Sequence, residues 1–492
     1  MGASVLSLIV EDFCKQSFAV LIKSICFIAL AALFVTFSTQ NSYASENKAH
    51  VEAWTDLEAG MFICFNMSTY TGKSWSSGNE DPSLFNPTDL DVSSWAKAAK
   101  LGGLKYGVLT VKHHDGFSLW NTKINDHDIS KSPYRKDIVK EYVDAFRKQK
   151  LKVGLYYSIW DRRWDRDPDL DQVEAIKIQL RELLGGNYGT IDLLWLDAWG
   201  WEKKYSEIPY KEIRDFIREI SPQTVVSNND HEYSMETTDL VVWETAVKMP
   251  VPVNSPGPFE VAEQIGRTWF YREGSISNNK PKEYFQWIVN QVIPEGGVLT
   301  FNVGPDKKGA IPEERYIALK HIKEALKTGP VHNWAKEANV SQSSTANGNG
   351  PQIGNDGKVF SLVNGSVTNT NPETEAWWEA DLGAVREIGE IRLWNRLKQG
   401  KDRLKDFYVF VSNEPFSTKS ISGTIAQENV KSYFHEGIAE WVTSFKHYGH
   451  GQFLRIQLTG EESLSLAEVQ VLDNTEMWIK PKYIQHPKDQ TV

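Results

Sequence analysis

Between Trp54 and Lys327 short runs of β-branched, aromatic and aliphatic residues alternate with stretches whose apolar residues recur every three or four positions, and that alternation leaves few folds open. Repeated strand–helix units bury both faces of a parallel sheet, because each crossover lays a helix against it. The predicted strands are Met61–Phe65, Tyr106–Val111, Val153–Ser158, Leu193–Asp197, Thr224–Ser227, Leu240–Glu244, Arg267–Tyr271 and Val298–Val303. Eight of them fit an α/β fold closed as a (β/α)8-like barrel. Asp91–Lys100 and Asp137–Lys148 read as two of the intervening helices.

After Gly329-Pro330 the texture changes. Ser341–Gly350 is rich in Ser, Asn and Gly, and beyond it strand patterns follow one another without helical periodicity, ending in the alternating run Ser465–Leu472. An all-β second domain is expected there. At the other end, Lys15 and Lys23 precede the apolar run Ile25–Phe37, and Ser42-Tyr43-Ala44 offers small residues where a signal peptidase reads. The expected organisation is a leader over 1–44, a barrel domain over 45–330, a β-sandwich over 331–475 and a polar tail over 476–492. Cleavage after Ala44 removes Cys14 and Cys26, so the mature chain keeps only Cys64 and forms no internal disulfide. An exported protein, periplasmic or secreted and free of the membrane once cut, is expected; an uncleaved signal anchor is the alternative. The net charge of -10 argues against nucleic acid as a partner, since a polyanion needs a basic surface to release its counterions.

The strand ends carry the chemistry. Lys112-His113-His114-Asp115-Gly116-Phe117 follows directly on Tyr106–Val111, so imidazoles and a carboxylate stand at what would be the C-terminal rim of a barrel strand. Leu193-Leu194-Trp195-Leu196-Asp197 and Leu240-Val241-Val242-Trp243-Glu244 share one design, an apolar run with a Trp that terminates in a carboxylate. Two carboxylates converging over one pocket are what glycoside hydrolysis requires, one acting at the anomeric carbon and one moving a proton. A metal-dependent hydrolase built on His113, His114 and Asp115 is the competing reading. Adjacent residues of a strand face opposite ways, which disfavours it.

Leu109–Trp120, Gly154–Ser158, Trp195-Leu196-Asp197 and Phe301–Asp306 together resemble the α-L-fucosidases of glycoside hydrolase family 29 over about residues 54–330. The resemblance implies an exo-acting retaining enzyme that releases L-fucose from fucosylated oligosaccharides or polysaccharides by double displacement, with no cofactor in catalysis. It makes Asp197 the nucleophile and Glu244 the acid/base, with Glu260 as the rival. His113 and His114 match the family's sugar hydroxyl ligands, Trp195 its wall, and Tyr156 or Tyr157 a polar contact near the nucleophile. Phe117, Trp199 and Trp269 are candidates for the apolar patch facing the sugar methyl. Two positions depart from the family: Cys64 stands where many relatives carry a His, and His231 where an Arg often lies. A fucose-binding, lectin-like protein without activity is the alternative function.

Ala376–Gly383, Arg403–Ser412 and Leu466–Val469 resemble a discoidin-type β-sandwich, the module of many carbohydrate-binding domains and fucose lectins, over about 333–474. That resemblance implies a structural Ca²⁺ held by Asp356 and Glu468. Arg396 and Arg403 have the spacing seen in fucose lectins, with Asn369 near the place of the lectin histidine.

Overall fold

A computed structural model describes residues 48–244, 255–274, 279–360 and 366–474; the expected leader and tail lie outside the described residues. Eight parallel strands close in sequence order: β1 (Ala59–Ile63), β2 (Tyr106–Lys112), β3 (Lys152–Ser158), β4 (Leu193–Asp197), β5 (Val225–Asn229), β6 (Leu240–Glu244), β7 (Phe259–Gln264) and β8 (Val298–Asn302), which pairs back onto β1. Helices α1 (Val92–Leu101), α2 (Ile138–Lys148), α3 (Gln172–Leu184), α4 (Tyr210–Ile220), α5 (Lys282–Val292) and α6 (Glu313–Thr328) connect them. Asp91, Asp137 and Asp171 start the first three, each carboxylate accepting a backbone N–H that the first turn leaves unpaired. Helix α2 buries Ile138, Val139, Tyr142, Val143 and Phe146 as one stripe. Gly107 on β2 lets it approach, because a Cβ there would lie 2.3 Å from the Phe146 ring.

The seventh strand corrects the sequence reading. It is Phe259–Gln264, whereas Arg267–Tyr271 is a loop. Phe259-Glu260-Val261-Ala262-Glu263-Gln264 looks too polar for a barrel strand, yet both glutamates are fully buried. Glu260 faces the barrel interior and accepts from the Thr300 hydroxyl, while Glu263 accepts from Tyr284 Oη at 2.5 Å and is ion-paired with Lys280. Those partners lie on other elements, so no local pattern reveals that the charges are satisfied.

In the second domain the strands are β9 (Asn339–Gln342), β10 (Glu373–Thr374), β11 (Trp377–Trp394), β12 (Lys405–Ser412), β13 (Lys431–Ile438), β14 (Val442–Leu458), β15 (Glu461–Glu462) and β16 (Glu468–Leu472). An antiparallel sheet runs β13-β12-β14-β11-β16 with β9 also on β11, and β10 pairs β15 in a second, small sheet. Register shifts between β11 and β14 at Asp381–Arg386 and Ile388–Glu390 bend these two long strands over a core that includes Trp378, Ile391, Phe407 and Ile456. The domain packs against α5. Tyr284 meets the rings of Phe360 and Trp441 with centroids 5.7 and 5.8 Å away, and Trp287 Nε1 donates to the Gly357 carbonyl at 3.0 Å.

Candidate active site

Strand alternation sets which side chains enter the barrel. On β4 Leu194 and Leu196 pack outward, while Trp195 and Asp197 face inward. The same parity on β3 turns Tyr156 in and Tyr157 out. At the mouth these side chains line a cavity of about 500 Å³ together with Phe62, Cys64, Ser74, Trp75, Thr110, His113, His114, Trp201, Asn229, His231, Glu244, Gln264, Arg267, Trp269 and Phe270. Asp197 and Glu244, from strands two apart, therefore share one pocket.

Asp197 is held by three donors. Its Oδ1 accepts the Ala198 N–H at 2.8 Å and Asn229 Nδ2 at 3.1 Å, and its Oδ2 accepts Tyr156 Oη at 2.5 Å. Ala198 has φ 65, a conformation costly for a residue with a Cβ, in the turn that aims this N–H back at the carboxylate. Burial and the charge of Glu244 push the Asp197 carboxyl up to about 7, against the three donors, which favour the anion. The two acids thus interact electrostatically. Glu244 lies 3.7 Å from His231 Nε2, and that carboxylate holds the imidazole above its ordinary value in spite of burial.

Both histidines face the pocket, which corrects the expectation that adjacent residues would diverge. Strand β2 ends at Lys112, after a register irregularity between Thr110 and Lys112, so alternation no longer governs His113 and His114; their ring centroids are 4.0 Å apart. Burial drives the His113 imidazole down to about 3 and His114 well below its ordinary value, so both rings are neutral near pH 7. The tautomer of His114 follows from its partner. Ser158 Oγ donates to the Trp160 carbonyl at 2.7 Å and must accept from His114 Nδ1, also at 2.7 Å. Nε2 is left as a lone pair 3.7 Å from Asp197 Oδ2. Cys64, with its thiol pushed up by burial, is likewise neutral.

Of the expected contacts, Cys64, His113, His114, Trp195 and His231 line the pocket and Tyr157, Trp199 and Glu260 do not. Tyr157 Oη turns outward to Gln179 Oε1 at 2.7 Å and Lys112 Nζ at 3.1 Å, so Tyr156 takes the place beside Asp197. Trp199 Nε1 donates to the Ile208 carbonyl at 2.9 Å, behind the rim. Glu260 pairs in register with Val242, one inward step below the Glu244–Ala262 level, and burial pushes its carboxyl up to about 7 within the barrel interior. Asp115 points away from the pocket, accepting the Phe117 N–H at 2.9 Å, and Phe117 packs on Phe85 with centroids 5.0 Å apart. Trp75, Trp201, Phe270 and Arg267 were not foreseen as site residues. They sit on loops, where no periodicity marks an inward face. Asn302 shows how such loops are fixed: its Oδ1 accepts the Cys64 N–H at 3.2 Å and its Nδ2 donates to the Trp269 carbonyl at 2.6 Å.

A cleft of similar size, about 490 Å³, opens between the domains. Its central charges neutralise one another, Glu390 pairing with Arg392 at 2.9 Å and Lys446 at 2.7 Å, so it offers no reactive pair. In the second domain Glu468 is fully buried; Oε2 accepts the Gly357 N–H at 3.1 Å and Oε1 has no hydrogen-bond partner. Burial and the charge of Asp356 raise its carboxyl well above the usual range. Asp356 itself accepts the Lys358 N–H at 2.9 Å and pairs with Lys358 Nζ at 3.0 Å. An unpartnered buried carboxylate oxygen beside a second carboxylate fits a cation. Among the described residues no cluster of three or more His, Cys, Asp or Glu joins them, so backbone oxygens would complete the shell. Arg403 Nη1 donates to Asn369 Oδ1 at 3.2 Å, joining two of the three lectin-like positions. Among the described residues no helix is long and apolar enough to cross a membrane.

The sequence matches the family model described as α-L-fucosidase over residues 37–329, and that of a NedA-like, galactose-binding domain over 354–439. It is 28% identical to α-L-fucosidase 1 of Arabidopsis thaliana over 325 residues, 61% of this chain and 64% of that one. A protein of Oryza sativa subsp. japonica provisionally named α-L-fucosidase 1 is 27% identical over 436 residues, 83% of this chain and 81% of that one. The solved structure of a glycoside hydrolase 29 family member from an unknown rumen bacterium covers 89% of this chain and 78% of its own at TM-score 0.51 and 20% identity, which shows a shared fold.

Proposed function

The chain belongs to the α-L-fucosidase family and carries a galactose-binding-type domain behind its barrel, and from that premise we propose that it is an exo-acting, retaining α-L-fucosidase. One observation carries the reading: Asp197 and Glu244 line the same pocket, and the charge of Glu244 raises the Asp197 carboxyl. Asp197 attacks the anomeric carbon as the glycosidic bond breaks, and Glu244 gives its proton to the departing oxygen. Water then attacks that carbon, passing a proton to Glu244 and freeing Asp197. The Ala198 N–H, Asn229 and Tyr156 hold the nucleophile in one orientation and favour its ionised form.

Neutral groups suit a neutral sugar. The lone pair of His114 Nε2 can accept the proton of a sugar hydroxyl. Phe62, Trp269 and Phe270 give the apolar surface that a 6-deoxy methyl needs. Exo action is supported by the floor of the pocket, where Trp195 and Phe62 meet edge to face at 5.4 Å and close the barrel beneath the carboxylates. The stereochemical course tests the reading. In NMR spectra of the first turnovers α-L-fucose should appear before mutarotation produces the β anomer; β-fucose appearing first would mean a single displacement.

Export and a Ca²⁺ bound by Asp356 and Glu468 belong to the same proposal. The partnerless Oε1 of Glu468 supports the cation, which would remove the penalty of burying that carboxylate. Because a ligand binding only the folded state stabilises it, at about 2.7 kcal/mol for a hundredfold excess over Kd, millimolar Ca²⁺ should raise the melting temperature by several degrees and EDTA should reverse this. Glu468→Gln should abolish the Ca²⁺ response. Equal melting curves with Ca²⁺ and with EDTA would leave Glu468 as a buried neutral acid.

A further inference from the structure

Lys112 and Asp161 are both fully buried, and the proposed chemistry at Asp197 and Glu244 uses neither. A lysine is almost never found so deep unless it is paired. The Lys112 ammonium lies 3.6 Å from Asp161 Oδ2, donates to Tyr157 Oη at 3.1 Å and sits over the rings of Trp164 and Tyr157, 3.9 and 4.3 Å from their centroids. Burial pulls it down to about 8 and the Asp161 carboxylate opposes the fall, so it is a cation at neutral pH. Asp161 Oδ2 has no hydrogen-bond partner, and that charge is what it faces.

A buried pair of this kind is seldom worth more to stability than apolar side chains of equal volume, and its best-attested use is to fix a register. A register is set at this residue. On β2 Tyr106 and Val108 face into the barrel, Leu109 and Val111 pack outside it, and Thr110 lines the pocket. Unbroken alternation would next turn Lys112 into the pocket and His113 out of it. Instead Thr110 pairs with Tyr156 and Lys112 with Tyr157, so β2 holds one extra residue, Val111, against β3. Lys112 therefore leaves by the outer face beside Tyr157, and His113 enters the pocket.

The other end of the pair is anchored. Asp161 Oδ1 accepts the N–H groups of Arg163 at 2.9 Å and Trp164 at 3.4 Å, and the Arg162 N–H donates to the His114 carbonyl at 2.9 Å. Gly116, at φ 79, passes so close that a Cβ there would lie 2.4 Å from the Asp161 carboxylate. The loop after β3 thus holds the chain just before the two histidines, at His114 itself and just behind.

We propose that Lys112 and Asp161 are positioning residues, their ion pair holding the extra residue of β2 in place and so turning His113 and His114 together toward the sugar. The proposal rests on the fucosidase reading, in which these two imidazoles face the sugar. The pair acts on affinity more than on the attack, because Asp197 takes its donors from Ala198, Asn229 and Tyr156.

The test measures the Kd for L-fucose by calorimetry, kcat for an aryl α-L-fucoside and the melting temperature in wild type, Lys112→Met, Asp161→Asn and the double variant. Methionine keeps most of the lysine stem, and asparagine keeps an acceptor for the Arg163 N–H. Each single variant should raise Kd about tenfold or more while kcat falls about threefold or less, the pattern of a lost grip on the sugar. Each should also melt earlier, because it leaves one buried charge unpaired. The double variant leaves none, so its melting temperature should recover while Kd stays high. Recovery of both together, or an unchanged Kd in the single variants, would overturn the proposal. Should a single variant not fold, the Kd of the double variant decides. Wild type that fails to hydrolyse the fucoside would instead overturn the fucosidase reading itself.

Discussion

Asp197→Ala should lose hydrolysis of an aryl α-L-fucoside by about 10⁴-fold or more, the scale on which removal of a covalent nucleophile is felt in other enzymes. Binding should survive, because the lost side chain contributes the attacking oxygen and not the grip on the sugar hydroxyls. The expected signature is a fall in kcat with little change in the affinity for fucose. Removing the side chain also frees the space filled by the two oxygens that accept from Ala198, Asn229 and Tyr156. Azide can enter there, so its addition should restore part of the rate and yield the β-linked fucosyl azide, from attack on the face Asp197 uses. An unchanged rate, or azide rescue giving the α-linked azide, would remove Asp197 from that role.

Glu244→Gln is expected to separate leaving groups. A glycan oxygen needs a proton as it departs, and the loss should be about 10³-fold, within the range for general acid catalysis. Fluoride or a strongly activated phenol leaves with little help, so its loss should be much smaller. The pH profile adds an independent reading. Burial first, and then the charge of Glu244, raise the Asp197 carboxyl to about 7. In wild type Glu244 must hold its proton while Asp197 is ionised, so the active form is the singly protonated pair and both limbs of kcat/KM belong to that pair. Glutamine has no proton to lose, so the basic limb for a glycan substrate should be absent in the variant. A basic limb that persists, with equal losses on all leaving groups, would shift attention to another acid. Glu260 is a poor candidate for it, since it hydrogen-bonds the Thr300 hydroxyl a full layer beneath the pocket.

The legible parts of the sequence were those in which local pattern and tertiary position coincide. The apolar runs that end in Asp197 and Glu244 form β4 and β6 with the predicted bounds, because a barrel strand covered on both faces must be continuously apolar until it reaches the mouth. The Lys112–Phe117 segment stands where a strand meets that mouth. What failed was parity and burial. The sequence leaves Tyr156 and Tyr157 both open, and with a period of two the one-residue difference puts Tyr157 on the far side of the sheet. Strand β7 was missed because Glu260 and Glu263 find their partners on β8 and around α5, across the fold. His113 and His114 look divergent only if the strand continues through them, and it stops at Lys112. Trp75 and Trp201 carried no pattern at all, since loop arginines and a stacked imidazole set their positions.

The central claim is that the sugar becomes covalently attached to Asp197 while Glu244 serves the leaving oxygen. A 2-deoxy-2-fluoro-α-L-fucosyl donor with an activated leaving group forms such an ester quickly and loses it slowly, so the intermediate accumulates and can be mapped by mass spectrometry after proteolysis. One added fluorofucosyl group on the peptide containing Leu193–Asp197, absent from the Asp197→Ala protein, is the predicted result. A label on Glu244 or Glu260, or steady turnover of the fluorosugar with no labelled peptide and an inverted product, would contradict it.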